Sequence, residues 1–384
     1  MTHKSMELII SKYINEEATE AEMNELVLWL EDEKNNKAFK DYLTINHSLN
    51  QDLVFDALKA YNKTLKTNMP PKKVKPLFTK SAFKYAVAAS IVLLISLPFI
   101  FNGKDDVHGD KPTIVNNSIQ IGTDKATLTL EDGSTIALEK GKQYITDNLE
   151  STGEDLVYSK PKEAKAEIAY NYLTIPTGGQ YHVILSDETE VWLNSESQLK
   201  YPVAFTDGET RKVELVYGEA YFDVSPSTNH NGSKFKVLTD VQEVEVLGTE
   251  FNISAYQNEN VIYTTLVEGK VAISNGEAST ILSPEQQAIV KDNQSGIQVV
   301  SADVYNTTSW RKGIFSFDNM PLEKIMTVLT RWYDVNVVFD DIELKNVNFN
   351  GVLRKNQNIE EILMAIKNIN NINYEINDNT VNFK

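Results

Sequence analysis

Two short stretches, TLTLEDGSTIAL at residues 127–138 and HVILSDETEVWL at residues 182–193, follow one pattern. In each, apolar and polar residues alternate on both sides of a tight acidic turn, as in a half-buried β-hairpin. The second stretch has Glu188 where the first has Gly133. A turn that needs a positive φ at this position is less favourable with glutamate than with glycine. The pair predicts a repeated hairpin within a β-rich region.

Further alternating segments extend this β-rich region over residues 119–300. Strand pairs are predicted in VELVYGEAYFDV (213–224), FKVLTD (235–240), VEVLGTEFNISAY (244–256) and TTLVEGKVAISNGEASTIL (264–282). No helical pattern interrupts them. We therefore expect an all-β domain made of packed antiparallel sheets or a solenoid-like stack.

The pattern changes over residues 310–384. A short strand, FSF (315–317), precedes a helix that starts at Pro321 and ends near Trp332, and two strands follow at 335–339 and 347–353. A second helix and a final hairpin complete the chain. This β-α-β-β-α-β-β order predicts a small C-terminal α+β domain with its own core.

Upstream of the β-rich region, residues 85–101 read YAVAASIVLLISLPFIF and carry no charge. Such a run is close to the thickness of a bilayer, so we expect one transmembrane helix. Residues 65–84 hold six lysines and no acidic residue, which predicts a cytoplasmic N-terminus and a periplasmic C-terminus. Residues 102–118 are then a periplasmic tether.

The first 64 residues are predicted to form a cytoplasmic all-α helical domain. Thr19 and Glu22 have the spacing of a capping box, in which each side chain bonds the backbone N–H of the other residue. Apolar residues recur at helical spacing behind it. A domain of this size has a marginal core, and it is expected to gain order on a partner. The predicted fold class is therefore multidomain: all-α N-terminal domain, one transmembrane helix, all-β periplasmic domain and small α+β C-terminal domain.

Charge and composition argue against several function classes. The net charge is −17, and residues 1–69 carry eight lysines against twelve acidic residues, so direct nucleic-acid binding lacks its usual basic surface. Cysteine is absent, which excludes disulfides, thiolate nucleophiles and thiolate–zinc sites. The five histidines are isolated, and neither a nucleophile elbow nor a phosphate-binding loop is present. We expect neither enzymatic activity nor a cofactor or metal.

The central and C-terminal motifs resemble a known family. IPTGGQYHVILSDETEVWLNSESQLKYPVAF (175–205), GEAYFDV (218–224) and VLGTEFNISAY (246–256) look like the periplasmic domain of FecR-type anti-sigma factors. The family usually has glycine at the turn occupied here by Glu188. Residues 310–339 are similar to the C-terminal domain of the Bacteroidetes branch, which in turn resembles the short signalling domain of secretins and TonB-dependent transporters.

This resemblance implies a regulator in the inner membrane of a Gram-negative bacterium. Its cytoplasmic helices would sequester an extracytoplasmic-function sigma factor. Its periplasmic part would sense the signalling domain of an outer-membrane TonB-dependent transporter, and membrane proteases would then free the sigma factor. Candidate sigma-factor contacts are Glu22, Glu25, Leu26, Trp29 and Leu30. Candidate contacts of the transporter domain are Phe315, Phe317, Trp332 and Tyr333.

Two alternatives stay open at this point. A membrane-anchored β-rich protein could bind glycan or another wall component through stacking aromatics, for which the candidates are Trp192, Tyr201, Tyr217, Tyr221 and Phe222. Their alternation with polar residues also fits core packing. A membrane-tethered DNA-binding regulator is opposed by the acidic balance of residues 1–69.

Overall fold

The computed structural model describes the β-rich and C-terminal regions almost completely and the N-terminal region in part. The described residues are Met6, Ile9, Ile10, Lys12, Tyr13, 18–30, Phe39, Ile114–Val115, 119–159, 168–292 and 294–384. The predicted membrane span at residues 85–101 and the basic segment 65–84 lie outside them.

The described N-terminal residues are helical and share a small apolar cluster. Helix α1 spans Glu20–Trp29, and the capping box at its start is confirmed, since Thr19 and Glu22 each bond the backbone N–H of the other residue. Helical residues upstream of Thr19 contribute to the same cluster. Its buried members are Met6, Ile9, Ile10, Leu26 and Leu30.

The predicted fold class is wrong. The described chain consists mostly of β-strands, and no separate all-α N-terminal domain is evident. Helical periodicity marks local segments, but the buried cluster described there is too small to serve as the core of an independent domain. Every helix in the described part of the chain is also too short or too polar to span a bilayer.

Strands β1 to β19 precede the C-terminal unit in chain order, and β2 to β19 form the β-rich region. The first ten are Ile114–Val115, Thr123–Thr129, Thr135–Glu139, Tyr144–Ile145, Leu149–Ser151, Asp155–Tyr158, Tyr170–Ile175, Gly179–Ile184, Glu190–Leu193 and Ser197–Pro202. The next nine are Arg211–Asp223, Phe235–Leu238, Glu243–Val246, Glu250–Ala255, Val261–Glu268, Val271–Ser274, Ser279–Leu282, Gln286–Lys291 and Ile297–Ser301. A 3₁₀ turn at Ser227–His230 follows β11.

Strand β11 joins two runs of paired strands because it is long enough to belong to both. Its first half continues the run β3-β2-β7-β10-β11-β12-β13-β16-β17. Its second half lies in the run β4-β5-β6-β8-β9-β11-β14-β15-β18-β19. Alternate side chains of both runs enter one apolar cluster, the β-region core, which includes Leu128, Leu173, Val183, Phe222 and Phe251.

The predicted hairpin repeat is confirmed. Strands β2 and β3 form one hairpin, and β8 and β9 form the other. In both turns the N–H of the residue at the repeat position bonds a carbonyl three residues earlier, at 2.9 Å from Gly133 and 2.9 Å from Glu188. Gly133 has φ 82° and Glu188 has φ 67°, so the second turn holds a glutamate in the left-handed region.

A linker and a small α+β unit follow. Helix α2 is Val304–Thr308 and a 3₁₀ turn covers Ser309–Lys312. The elements after it are β20 (Ile314–Pro321), α3 (Leu322–Tyr333), β21 (Asn336–Phe339), a 3₁₀ turn (Ile342–Asn346), β22 (Asn348–Arg354), α4 (Ile359–Asn370), β23 (Tyr374–Asn377) and β24 (Thr380–Phe383). This is the element order predicted from the sequence.

The C-terminal unit pairs its strands in two sets. Strands β20 and β22 form an antiparallel pair, and a second sheet has the order β1-β23-β24-β21. Helices α3 and α4 contribute apolar faces to one cluster, the C-terminal core. The cluster includes Leu322, Leu329, Leu363, Ile376 and Phe383.

Candidate functional site

Helix α1 exposes only part of the predicted sigma-factor surface. Leu26 and Leu30 are buried, whereas Glu25 and Trp29 are half-buried. The carboxylate of Glu22 accepts a bond of 2.6 Å from Lys12, and this bond together with those from Thr19 lowers its pKa to about 2. These five positions stay a prediction as sigma-factor contacts.

One apolar residue on the outer face of α1 was missing from the predicted set. Leu28 is 66% exposed and lies between the half-buried Trp29 and the N-terminal turns of the helix. Its position is out of phase with the buried Leu26 and Leu30, so the periodicity itself marks it as facing away from the cluster. An exposed leucine beside a tryptophan suits contact with a protein partner.

All four predicted transporter contacts are buried in the C-terminal core. Phe315 and Phe317 lie on β20, and Trp332 and Tyr333 lie at the end of α3. The Trp332 indole N–H donates to the carbonyl of Lys355 at 2.9 Å. The Tyr333 hydroxyl donates to the carbonyl of Gln357 in the loop before α4, and burial raises its pKa. Their role as partner contacts stays a prediction.

The exposed side of the C-terminal unit is formed by different residues. Strand β21 is the last strand of its sheet, and Val338 on it is 45% exposed. An open groove of about 350 Å³ runs between β21 and α3, with Met326, Val337 and Phe339 in its lining. An ion pair of 2.8 Å between Lys345 and Glu323 lies at the rim.

The C-terminal unit meets the β-rich region at a polar junction centred on Arg331 of α3. Its guanidinium bonds Glu259 at 2.9 Å and Asn258 at 3.2 Å. It also lies 3.4 Å from the ring centroid of Tyr256, a cation–π contact. The Arg331 carbonyl accepts the N–H of Gly178 at 2.7 Å. One residue thus binds two separate loops of the β-rich region.

Lys355 occupies the apolar part of the same junction. Its ammonium donates to Gln180 on β8 at 2.7 Å and lies 4.4 Å from the ring centroid of Trp332. Trp310 and Phe315 add further ring contacts at 5.5 and 5.3 Å. Burial lowers the pKa of Lys355 to about 7, although nearby carboxylates oppose this shift.

Glu219 on β11 lies on the β-rich side of this junction. Its carboxylate accepts bonds from the side-chain amides of Asn194 at 2.8 Å and Asn252 at 3.0 Å. Asn252 in turn accepts from the indole N–H of Trp310 at 3.3 Å. Burial raises the pKa of Glu219, while the two amides and the positive charges of Arg331 and Lys355 oppose the rise.

Sequence reasoning missed this junction. Arg331 reads as one polar residue in an amphipathic helix, and Lys355 reads as one charge in a turn. Their burial depends on which surface of the β-rich region faces them, and periodicity carries no signal for that. A weak signal existed in Trp310, since a tryptophan in a linker often packs on a neighbouring surface.

The aromatics considered for glycan binding are mostly covered. Tyr201, Tyr221 and Phe222 are buried. Trp192 stacks on His182 with a centroid distance of 4.3 Å, and Arg311 lies 4.7 Å from the Trp192 ring. These rings form contacts within the protein and do not form an open stacking platform. Among the described residues no group of histidine and acidic side chains is arranged to hold a metal ion.

Comparison with known proteins identifies two parts of the chain. Residues 171–272 match the FecR protein family, and residues 314–383 match the FecR C-terminal family. Two crystal structures from Parabacteroides distasonis ATCC 8503, both assigned as an anti-sigma factor, are similar to the chain at 29% and 28% identity. Each alignment covers 56% of this chain and 98% of the other, with a TM-score of 0.49. None of the curated proteins matches the chain.

Proposed function

Because the chain belongs to the FecR family of anti-sigma factors, we propose that it restrains an extracytoplasmic-function sigma factor and releases it in response to a TonB-dependent transporter. The family is regulatory rather than enzymatic. The observation that supports the proposal most directly is the pair of family matches, at residues 171–272 and 314–383. They fall on two regions that meet at the junction of Arg331 and Lys355.

The sigma factor would bind the outer face of helix α1. Leu28 and Trp29 supply apolar surface there, and Glu25 supplies negative charge. Sigma factors bind DNA through basic surfaces, so an acidic, apolar face suits their sequestration. Leu26 and Leu30 would then support the face from below and contact the partner only if the helix repacks.

The transporter's signalling domain would bind the C-terminal unit at β21. A strand at the edge of a sheet can accept a partner strand, with backbone hydrogen bonds giving affinity and side-chain pockets giving specificity. The exposed Val338 and the adjoining groove fit this mode. The four buried aromatics would shape the core behind that edge.

The proposed location is the inner membrane of a Gram-negative bacterium, with residues 1–64 in the cytoplasm and residues 119–384 in the periplasm. Its support is the lysine-rich segment 65–84, which follows the positive-inside bias. Proteolysis at the membrane would release the N-terminal part together with its sigma factor. Reporter enzymes fused to either terminus of the full chain would test this topology. Activity of a periplasm-dependent reporter at the N-terminus would contradict it.

Co-purification of the full chain with extracytoplasmic-function sigma factors from the same genome tests the central claim. Leu28→Glu is expected to weaken retention of the cognate sigma factor at least tenfold, because it places a charge in the proposed apolar contact. Ile281→Glu is the matched control, since this residue is 68% exposed but lies on β17. If no sigma factor is retained by the folded chain, the proposal fails.

A second pair of variants tests the transporter contact. Val338→Lys is expected to weaken binding of purified transporter signalling domains about tenfold, because a lysine on an edge strand disfavours strand addition. Val299→Lys is the control, since Val299 is 38% exposed on β19, whose described pairing is with β18. Equal binding by both variants would remove β21 from the contact.

A further inference from the structure

The segment that leads into the β-rich region lies against the C-terminal unit. We call the described residues 114–115 and 119–122 the lead-in segment. Its first part, β1, pairs in parallel with β23, with Ile114 opposite Ile376 and Val115 opposite Asn377. Strand β1, which precedes the β-rich region in the chain, is therefore an edge strand of the C-terminal sheet.

The second part of the lead-in segment packs against the C-terminal core. Ile119 and Ile121 are half-buried against this cluster. Gly122 faces Trp332 so closely that a Cβ atom at this position would lie 2.6 Å from the indole ring. Gly122 does not have a positive φ, so its role is to allow this close approach and not to form a turn.

The lead-in segment also connects directly to the junction. The N–H of Thr123 donates to the carbonyl of Gly178 at 2.9 Å, and the N–H of Gly178 donates to the carbonyl of Arg331 at 2.7 Å. Movement of α3 away from the β-rich region would therefore break the bond between Arg331 and Gly178, the residue that also accepts from Thr123 at the end of the lead-in segment. The lead-in segment, the loop at Gly178 and the end of α3 form one connected unit.

We propose that the C-terminal unit is a clasp on the lead-in segment, and that opening the clasp exposes this segment to proteolysis. The proposal rests on the proposed function, for which it supplies the step between signal reception and cleavage. Proteases bind substrates as extended strands, so a segment already paired and packed is a poor substrate until it opens. Strand β1 is only two residues long, and so few backbone bonds are readily exchanged.

The absence of cysteine from the chain allows a direct test of the closed clasp. Val115→Cys combined with Asn377→Cys places one thiol on each of two residues that are paired across β1 and β23. Mild oxidation of the purified full chain is expected to form an intramolecular disulfide, detected as a mobility shift reversed by reductant. Each single variant is the control and is expected to show no shift. Failure of the pair to cross-link in folded protein would overturn the proposal.

Proteolysis of the same protein tests the opening step. Gly122→Ala forces the Trp332 contact apart, and it is expected to increase proteinase K cleavage within residues 114–122 roughly tenfold, because overpacking raises the open population. Gly296→Ala is a matched control, since a Cβ there meets nothing within 4 Å and its φ is not positive. Cleavage sites are mapped by mass spectrometry, and circular dichroism confirms that each variant is folded.

The oxidised cysteine pair provides the complementary result. It is expected to cut cleavage within residues 114–122 at least tenfold relative to its reduced form. Unchanged cleavage in both Gly122→Ala and the oxidised pair would overturn the clasp. These measurements need neither sigma factor nor transporter. If the clasp is refuted, retention of the sigma factor is still expected. If the proposed function is refuted because no sigma factor is retained, the expected cross-linking and cleavage results do not change.

Discussion

Replacing Lys355 by methionine should change how stability depends on pH. Lys355 is 5% exposed, and its ammonium donates to Gln180 and lies among three aromatic rings. Methionine keeps a long apolar side chain in the same space but removes the titrating group. The variant therefore isolates the energetic effect of burying this amine.

The sign follows from the two pKa values of Lys355. The pKa is about 7 in the folded chain, against 10.5 for the solvated amine. Above 10.5 both states are neutral and the group has no effect. As the pH falls towards 7, the unfolded chain binds a proton that the folded chain does not, so the free energy of unfolding decreases. Below 7 both states are protonated and the cost is constant.

Between pH 9 and pH 7 this linkage amounts to about 2 kcal/mol. The wild-type chain should therefore be less stable at pH 7 than at pH 9 by about that amount, whereas Lys355→Met should not show this loss. Any other group that titrates in this window is present in both proteins, so the difference in pH dependence between wild type and Lys355→Met reports Lys355.

Urea unfolding of the full chain, followed by tryptophan fluorescence at pH 7, 8 and 9, measures the effect. Trp310 and Trp332 lie beside Lys355 and report on the junction. Lys212→Met, at an exposed position on β11, is the control and should keep the wild-type pH dependence. If wild type and Lys355→Met show the same slope between pH 7 and pH 9, the reasoning about the buried amine is refuted.

Three further predictions concern stability. Glu188→Gly should stabilise the chain by about 0.5–1 kcal/mol in thermal unfolding, because glycine removes the strain of φ 67° that the equivalent Gly133 avoids; a loss of stability would contradict this. Arg211→Met should lower the free energy of unfolding in urea by about 3–5 kcal/mol, because it removes the ion pair of 2.7 Å between Arg211 and the buried carboxylate of Asp187. Adding Asp187→Leu should recover part of this loss. Thr19→Ala should weaken helix α1 by about 1 kcal/mol, seen as faster amide hydrogen exchange there, and unchanged exchange would argue against the cap.

Local elements were predictable because their causes lie close together in the chain. The turn at Glu188, the capping box at Thr19 and the helix after Pro321 each depend on residues within one or two turns. Alternation of apolar and polar side chains located the strands for the same reason, since it reports which face is buried. The N-terminal residues show the limit of this reasoning. Helical spacing there predicted an all-α domain, but spacing does not measure how much core the segments enclose.

The candidate sites were also predictable only in part. The sequence marked aromatics as important, yet it could not say whether Phe315 and Trp332 face a partner or the core; the structure places both in the core. Aromatic residues bury well in either setting, so their presence alone is ambiguous. The exposed Leu28 could have been found from the helical phase of its neighbours.

The sequence by itself determined the order of the elements, the repeated turns and the family motifs, because each depends on short-range spacing and side-chain chemistry. Only the tertiary structure brought Arg331 and Lys355 against residues more than 70 positions away, and paired the end of the chain with the lead-in segment. Those contacts depend on which surfaces of the two regions face each other. Another surface of suitable shape and charge could equally have accepted Arg331 and Lys355. That choice is made by packing over long sequence separations, which local pattern does not encode.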